Sequence, residues 1–133
     1  MRRNVRHLLE YPVMLLLAIL LLLCLVGANS LMSVFLCIGG FSISLYVLIL
    51  FDVYARVTRE AAMKYFYLSA MSAGLIIFGT FLLYSATGTA MFSELRWEFS
   101  VLKNFSNVAS ISTGLIFILL GLLFKLSAFP AHL

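Results

Sequence analysis

Few side chains in this sequence are equipped for chemistry, and Lys125 comes first among them. It stands in Leu122-Leu123-Phe124-Lys125-Leu126, an apolar run without a carboxylate. A lysine at the middle of a membrane helix costs about 2.5–3.5 kcal/mol on insertion scales, so an ionisable group so placed is a functional signal by default. A compact amine on a flexible stem, taken out of water, is a group that can load and release a proton. A second reading also stands. Lys125 is eight residues from Leu133, about 12 Å along a helix, and a lysine stem can snorkel toward an interface at that range.

Pro130 follows five residues later. Proline lacks a donor and clashes with the carbonyl four residues back, here Leu126, so the helix is expected to kink or break between the two. Broken helices with freed backbone groups are used at ion sites in transporters, and a proline near a helix end also serves simply as a terminator. His132, just beyond, is either a group that titrates near neutrality or an interfacial residue. Lys64 lies four residues after Glu60, the favourable order for an ion pair on a helix, worth a few tenths of a kcal/mol if it is only a surface pair. Glu10 and Asp52 fall at the ends of apolar runs, where a charge is cheap. No nucleophile–base set, phosphate loop or nucleotide fingerprint occurs, and no cofactor is expected in this chain. Cys24 and Cys37 lie in apolar runs without a Cys/His cluster, so no metal site is expected.

The elements that hold these groups follow from composition. The chain has 133 residues, 64% of them hydrophobic and 11% charged, with a mean hydropathy of +1.13. A soluble domain carries about 25% charged and 45–50% apolar residues. One small core cannot hide the excess, because a domain of this size leaves about a third of its surface exposed. At about 20 residues per span, the length holds four or five membrane helices and excludes a large catalytic domain. The net charge of +4 includes Arg2, Arg3 and Arg6 at the start, and the remaining cations form no stripe suited to nucleic acid.

Residues 11–51 contain no charge, and Gly27-Ala28-Asn29-Ser30 interrupts them with turn formers. The pattern predicts an all-α membrane protein with helices at about 12–27, 31–51, 61–86 and 107–133, the last broken near Lys125. All four belong to one membrane domain, 1–133. A charged connection carries Asp52, Arg56, Arg59 and Glu60, and a polar segment, 88–106, separates the third and fourth spans. The continuous runs lack the alternation of a membrane barrel. With an even number of spans, one side holds Arg2, Arg3, Arg6, Arg56, Arg59 and Lys64, against Arg96 and Lys103 on the other. The positive-inside rule therefore puts the N-terminus on the matrix or cytoplasmic side, with Tyr11, Tyr65 and Tyr67 near that interface. Small residues recur at four-residue spacing in Gly40/Ser44, Ser69/Ala73, Ala70/Gly74 and Ser110/Gly114, a pattern that brings helices close.

Five motifs occur in order: Gly27-Ala28-Asn29-Ser30-Leu31, Ser44-Leu45-Tyr46-Val47-Leu48, Glu60-Ala61-Ala62-Met63-Lys64-Tyr65-Phe66, Leu83-Tyr84-Ser85-Ala86-Thr87-Gly88-Thr89 and Gly121-Leu122-Leu123-Phe124-Lys125-Leu126-Ser127-Ala128-Phe129-Pro130-Ala131-His132. The series resembles the subunit 2 family of NADH dehydrogenase, the N-type antiporter-like subunits of respiratory complex I, over residues 10–133. The resemblance implies a non-redox, proton-translocating membrane subunit of NADH:ubiquinone reductase, with no catalytic chemistry from this chain alone. It implies that Lys125 is a proton-transfer residue at a helix break. It also matches Lys64 to the lysine of the family's E-A-x-x-K-Y-F motif, and Pro130 and His132 to the P-x-H after the break. One departure stands out. The family usually has a glutamate seven residues before the tyrosine of S-L-Y-V-L, and here that position is Gly39.

The resemblance reaches only helices four to seven of a fourteen-helix subunit. The expectation is therefore the N-terminal piece of a split subunit in the mitochondrial inner membrane (a bacterial plasma membrane being the alternative). Its partners would be other membrane-arm subunits, membrane lipids, and a separate polypeptide that supplies the remaining helices and covers Leu133. A non-pumping scaffold of the membrane arm is the second reading, favoured by Gly39. A free-standing four-helix exporter is the third. Small exporters use a carboxylate in their first helix, and residues 11–28 hold none.

Overall fold

The computed structural model describes residues 2–51, 56–101 and 105–126. Five helices follow one another: α1 (Arg2–Val26), α2 (Leu31–Leu50), α3 (Arg56–Thr87), α4 (Phe92–Val101) and α5 (Phe105–Lys125). Four of them contain segments long and apolar enough to cross a membrane: Leu8–Val26, Leu31–Leu50, Arg56–Thr87 and Val108–Lys125. Asp52, Lys103, Pro130, His132 and Leu133 lie outside the described residues.

The expected turn at Gly27–Ser30 is present, and Ser30 starts α2. Its hydroxyl accepts from the Ser33 amide at 3.2 Å, and the Ser33 hydroxyl accepts in return from the Ser30 amide at 3.3 Å. This reciprocal box satisfies two backbone donors that a helix start leaves open. The other end of α3 closes on Gly88, whose φ of +74° is a left-handed conformation that glycine adopts without a Cβ penalty. The two loops then meet. The Leu31 amide donates to the Ala90 carbonyl at 2.9 Å and the Phe92 amide to the Asn29 carbonyl at 3.0 Å. This antiparallel clasp at Ser30 and Met91 fixes the α1–α2 turn and the α3–α4 connection at one end of the bundle.

Several boundaries differ from expectation. α1 runs back through Pro12 to Arg2, and α3 starts at Arg56 rather than 61. Hydropathy marks where a helix enters an apolar medium, not where its hydrogen bonds begin. The polar segment 88–106 contains α4, a short amphipathic helix. Its Phe92, Leu95 and Phe99 share a space with Leu31, Leu83 and Leu115, and Leu95 is buried. Glu94 in its first turn suits the positive end of the helix dipole.

The most extensive packing is between α3 and α5, and it rests on glycine. A Cβ on Gly79 would stand 2.6 Å from the Gly114 carbonyl oxygen, and one on Gly114 would stand 2.9 Å from that of Gly79. A Cβ on Gly121 would meet Ile76 Cγ1 at 2.6 Å and the Ser72 carbonyl oxygen at 2.9 Å. Backbones this close gain van der Waals contact, the principal attraction between helices in lipid. Only Gly114 of this seam belongs to the small-residue pairs read from the sequence. Gly74 has nothing within 4 Å of a built Cβ and Ala70 is exposed, so that pair joins no helices here. The seam instead follows an alternating three- and four-residue spacing. Ser72, Ile76, Gly79 and Leu83 are buried on α3, and Ile111, Gly114 and Gly121 on α5. This is the spacing of helices crossing at a shallow angle. Elsewhere α1 lies on α2, with Leu21 against Gly40. α2 meets α3 through the Tyr46 and Phe66 rings, 5.2 Å apart.

Candidate functional site: a lysine among three helices

The inward stripe of α5 runs through Ile111, Gly114, Ile118 and Gly121, and its next position is Lys125. The helix that packs tightly on α3 therefore delivers its last residue to the interior. Lys125 is half-buried, and its Nζ donates a hydrogen bond to Ser42 Oγ on α2, 83 residues away. Leu126 follows as a turn, its amide donating to the Leu122 carbonyl at 3.0 Å.

Two spaces adjoin the amine. A crevice of about 520 Å³ between α2 and α3 is lined by Gly39, Ser42, Tyr46, Phe66, Ser69 and Lys125, among others. A smaller pocket of about 60 Å³ is lined by Tyr65, Leu68, Ser69, Ser72, Phe124 and Lys125. Both have room for water, which needs about 10–15 Å³ and two or more polar partners. Lys125 and Ser69 are common to the two linings. Among the described residues neither lining contains a carboxylate or a second cation.

Ser42 is the most constrained polar group here. It is 5% exposed, and its hydroxyl donates to the Ile38 carbonyl at 2.7 Å. Tyr65 borders the same amine from α3. A serine hydroxyl has one proton and two lone pairs. With its proton committed to Ile38, Ser42 accepts from Lys125 on an oxygen whose orientation is already set.

Gly39 lies one turn before Ser42 on the same face of α2 and lines the same crevice. Nothing stands within 4 Å of a Cβ built on it. Lys64 is elsewhere. It is exposed on α3, with Nζ 3.8 Å from Glu60 Oε1, and it lines neither space. The expected Glu60–Lys64 pair is therefore present and is not brought to Lys125. Tyr65 faces the pocket beside Lys125. The sequence offered two signals for these partners. Ser42 follows Gly39 by three residues, and Ala62, Tyr65, Ser69 and Ser72 continue the alternating spacing of the α3 seam. Among the described residues no group of three or more His, Cys, Asp or Glu side chains could hold a metal ion.

Membrane-length helices, a glycine seam and an amine hydrogen-bonded inside the bundle define a multi-pass helical membrane protein. The chain belongs to the NADH:quinone oxidoreductase/Mrp antiporter transmembrane family, whose pattern matches residues 28–133. It is similar to NADH-quinone oxidoreductase subunit N of Azoarcus sp. (strain BH72), 39% identical over 124 residues, 93% of this chain and 25% of that protein. Subunit N of Parvibaculum lavamentivorans is 36% identical over 124 residues, again 93% of this chain and 25% of the relative. That of Wolbachia sp. subsp. Brugia malayi is 43% identical over 112 residues, 84% of this chain and 23% of the relative. The chain thus spans about a quarter of the length of the curated relatives it matches.

Proposed function

We propose that this chain contributes a proton-exchanging lysine, Lys125, to an antiporter-like membrane subunit of a proton-translocating NADH:quinone oxidoreductase. Residues 1–133 act there as one membrane unit in an energy-coupling membrane. The mitochondrial inner membrane is the expectation from sequence, and the relatives named above are bacterial. The observation that carries the proposal is the inward Lys125 amine, hydrogen-bonded to buried Ser42 where α2, α3 and α5 meet. Family membership supplies the process; the geometry supplies the group.

The chain does no redox chemistry. Electron transfer elsewhere in the complex changes the electric field along the membrane, and that field shifts the balance between ammonium and amine at Lys125. The ammonium donates to Ser42. Once its proton has passed to water in the adjoining spaces, the neutral nitrogen has a lone pair ready to accept the next. Lys64 would act as a second carrier from the outer face of α3, and His132 as a third near the chain's end.

Replacing Lys125 with Ala in the assembled complex is expected to lower the protons pumped per NADH while leaving NADH oxidation coupled to quinone. Pumping measured in proteoliposomes checks this, and an unchanged stoichiometry overturns it. The second reading, a scaffold without pumping, draws on Gly39, which leaves the crevice without an acid among the described residues. Normal assembly together with normal pumping in the Lys125→Ala complex would select it.

A further inference from the structure

The function as stated uses Ser42 only as the partner of the ammonium, yet the arrangement of the hydroxyls around Lys125 is specific. The Lys125 amine is the end of a long stem that borders two spaces on different sides, one against α2 and α3, one against α3 and α5. A side chain with four rotatable bonds would sample both. What ties it down is a single acceptor on a different helix, the Ser42 oxygen. That oxygen is itself oriented, because its proton is fixed on the Ile38 carbonyl. The groups facing Lys125 are Ser42 and Tyr46 from α2 and Tyr65, Ser69 and Ser72 from α3. None carries a charge while the tyrosines keep their protons, so the amine's partner is a neutral dipole.

We propose that Ser42, oriented by the Ile38 carbonyl, is the positioning residue of this site: it holds the Lys125 amine between the two spaces so that one nitrogen can exchange protons with both. A hydrogen bond from a charged donor is stronger than a neutral one, so Ser42 grips the ammonium more firmly than the neutral amine. The lysine is thus held while loaded and freer to turn once it has given up its proton. No heavy-atom bond is made or broken, and the proton that leaves Nζ is the one that water carries on. This inference rests on the proposed role of Lys125, and its test separates the two.

The test uses the full complex in proteoliposomes, comparing Ser42→Ala, Ser42→Thr, Lys125→Ala and the Ser42→Ala/Lys125→Ala double variant. Ser42→Ala is expected to remove at least about half of the pumping that Lys125→Ala removes, since it deletes a charge-assisted hydrogen bond. Ser42→Thr, which keeps the hydroxyl and has the crevice to receive its methyl, should pump near the level of the unaltered complex. The double variant should pump no less than Lys125→Ala alone, because both changes act on one interaction. A purely structural role for Ser42 predicts instead that the two losses add, and additive losses would overturn the proposal. Normal pumping in Ser42→Ala, with reduced pumping in Lys125→Ala, also overturns it while sparing the role of Lys125. Normal pumping in Lys125→Ala removes both. Should Ser42→Ala fail to assemble, Ser42→Cys decides. It keeps nearly the same shape but replaces the hydroxyl oxygen with a weak acceptor, and it should lower pumping; a Ser42→Cys complex that pumps normally overturns the proposal.

Discussion

At Gly121, α5 comes so near α3 that a single added carbon would stand 2.6 Å from Ile76 and 2.9 Å from a backbone oxygen. One turn further along the same helix, Lys125 looks onto a crevice of about 520 Å³ and a pocket of about 60 Å³. The same stripe of one helix thus passes from close packing to open space bordered by a few hydroxyls within four residues. The glycine seam fixes where α5 is; the looseness beyond it leaves the lysine stem room to move. The proposed exchange of protons at Lys125 would be well served by that division.

The sharpest way to break the contrast is to disturb the tight side. Gly121→Val forces branched carbons into Ile76 and the Ser72 carbonyl, and overpacking of this sort costs about 1–3 kcal/mol. The expected result is a marked fall in the amount of assembled complex in membranes, read on native gels. Assembly at normal levels would mean that the seam is not as close as described. The open side should respond in the opposite sense. Gly39→Ala adds one carbon to empty space and removes a flexible residue from a helix interior, so it should leave stability unchanged or raised by up to about 1 kcal/mol. A thermal unfolding midpoint lower than that of the unaltered complex would show that the crevice is filled. The smallest effect is expected at Lys64, which touches neither region. Its exposed pair with Glu60 is worth about 0.2–0.5 kcal/mol. Lys64→Ala should therefore leave the melting temperature of the complex nearly unchanged, whatever it does to pumping.

Much of this architecture is visible in the sequence, because span-length hydropathy and a turn such as Gly27–Ser30 are local properties. So is the burial of Lys125, once its apolar neighbours are counted. α4 escaped because Glu94, Arg96 and Glu98 break up its apolar residues, and its inward apolar face consists of only Phe92, Leu95 and Phe99. The seam escaped in part for a different reason. Small residues four apart are common in any apolar helix, and only the neighbour decides which of them is used. Gly79 and Gly121 find backbone opposite, while Gly74 finds open space. Of Ser42 as the partner of Lys125, the sequence showed only its place one turn after Gly39. The two are 83 residues apart, and a serine in an apolar run reads as an ordinary small residue.

The clasp between the α1–α2 turn and the start of α4 has a mechanical side. It secures the bundle at the end away from Lys125, where two backbone hydrogen bonds of 2.9 and 3.0 Å tie Asn29 and Leu31 to Phe92 and Ala90. From that fulcrum α2 extends about 18 Å to Ser42, at 1.5 Å for each of twelve residues. A tilt of about 5° at the fulcrum swings Ser42 by about 1.6 Å over that length, enough to take a hydrogen bond from good geometry to none. A lever of this kind turns a slight change of helix angle into the making or breaking of the lysine's only side-chain anchor seen among the described residues.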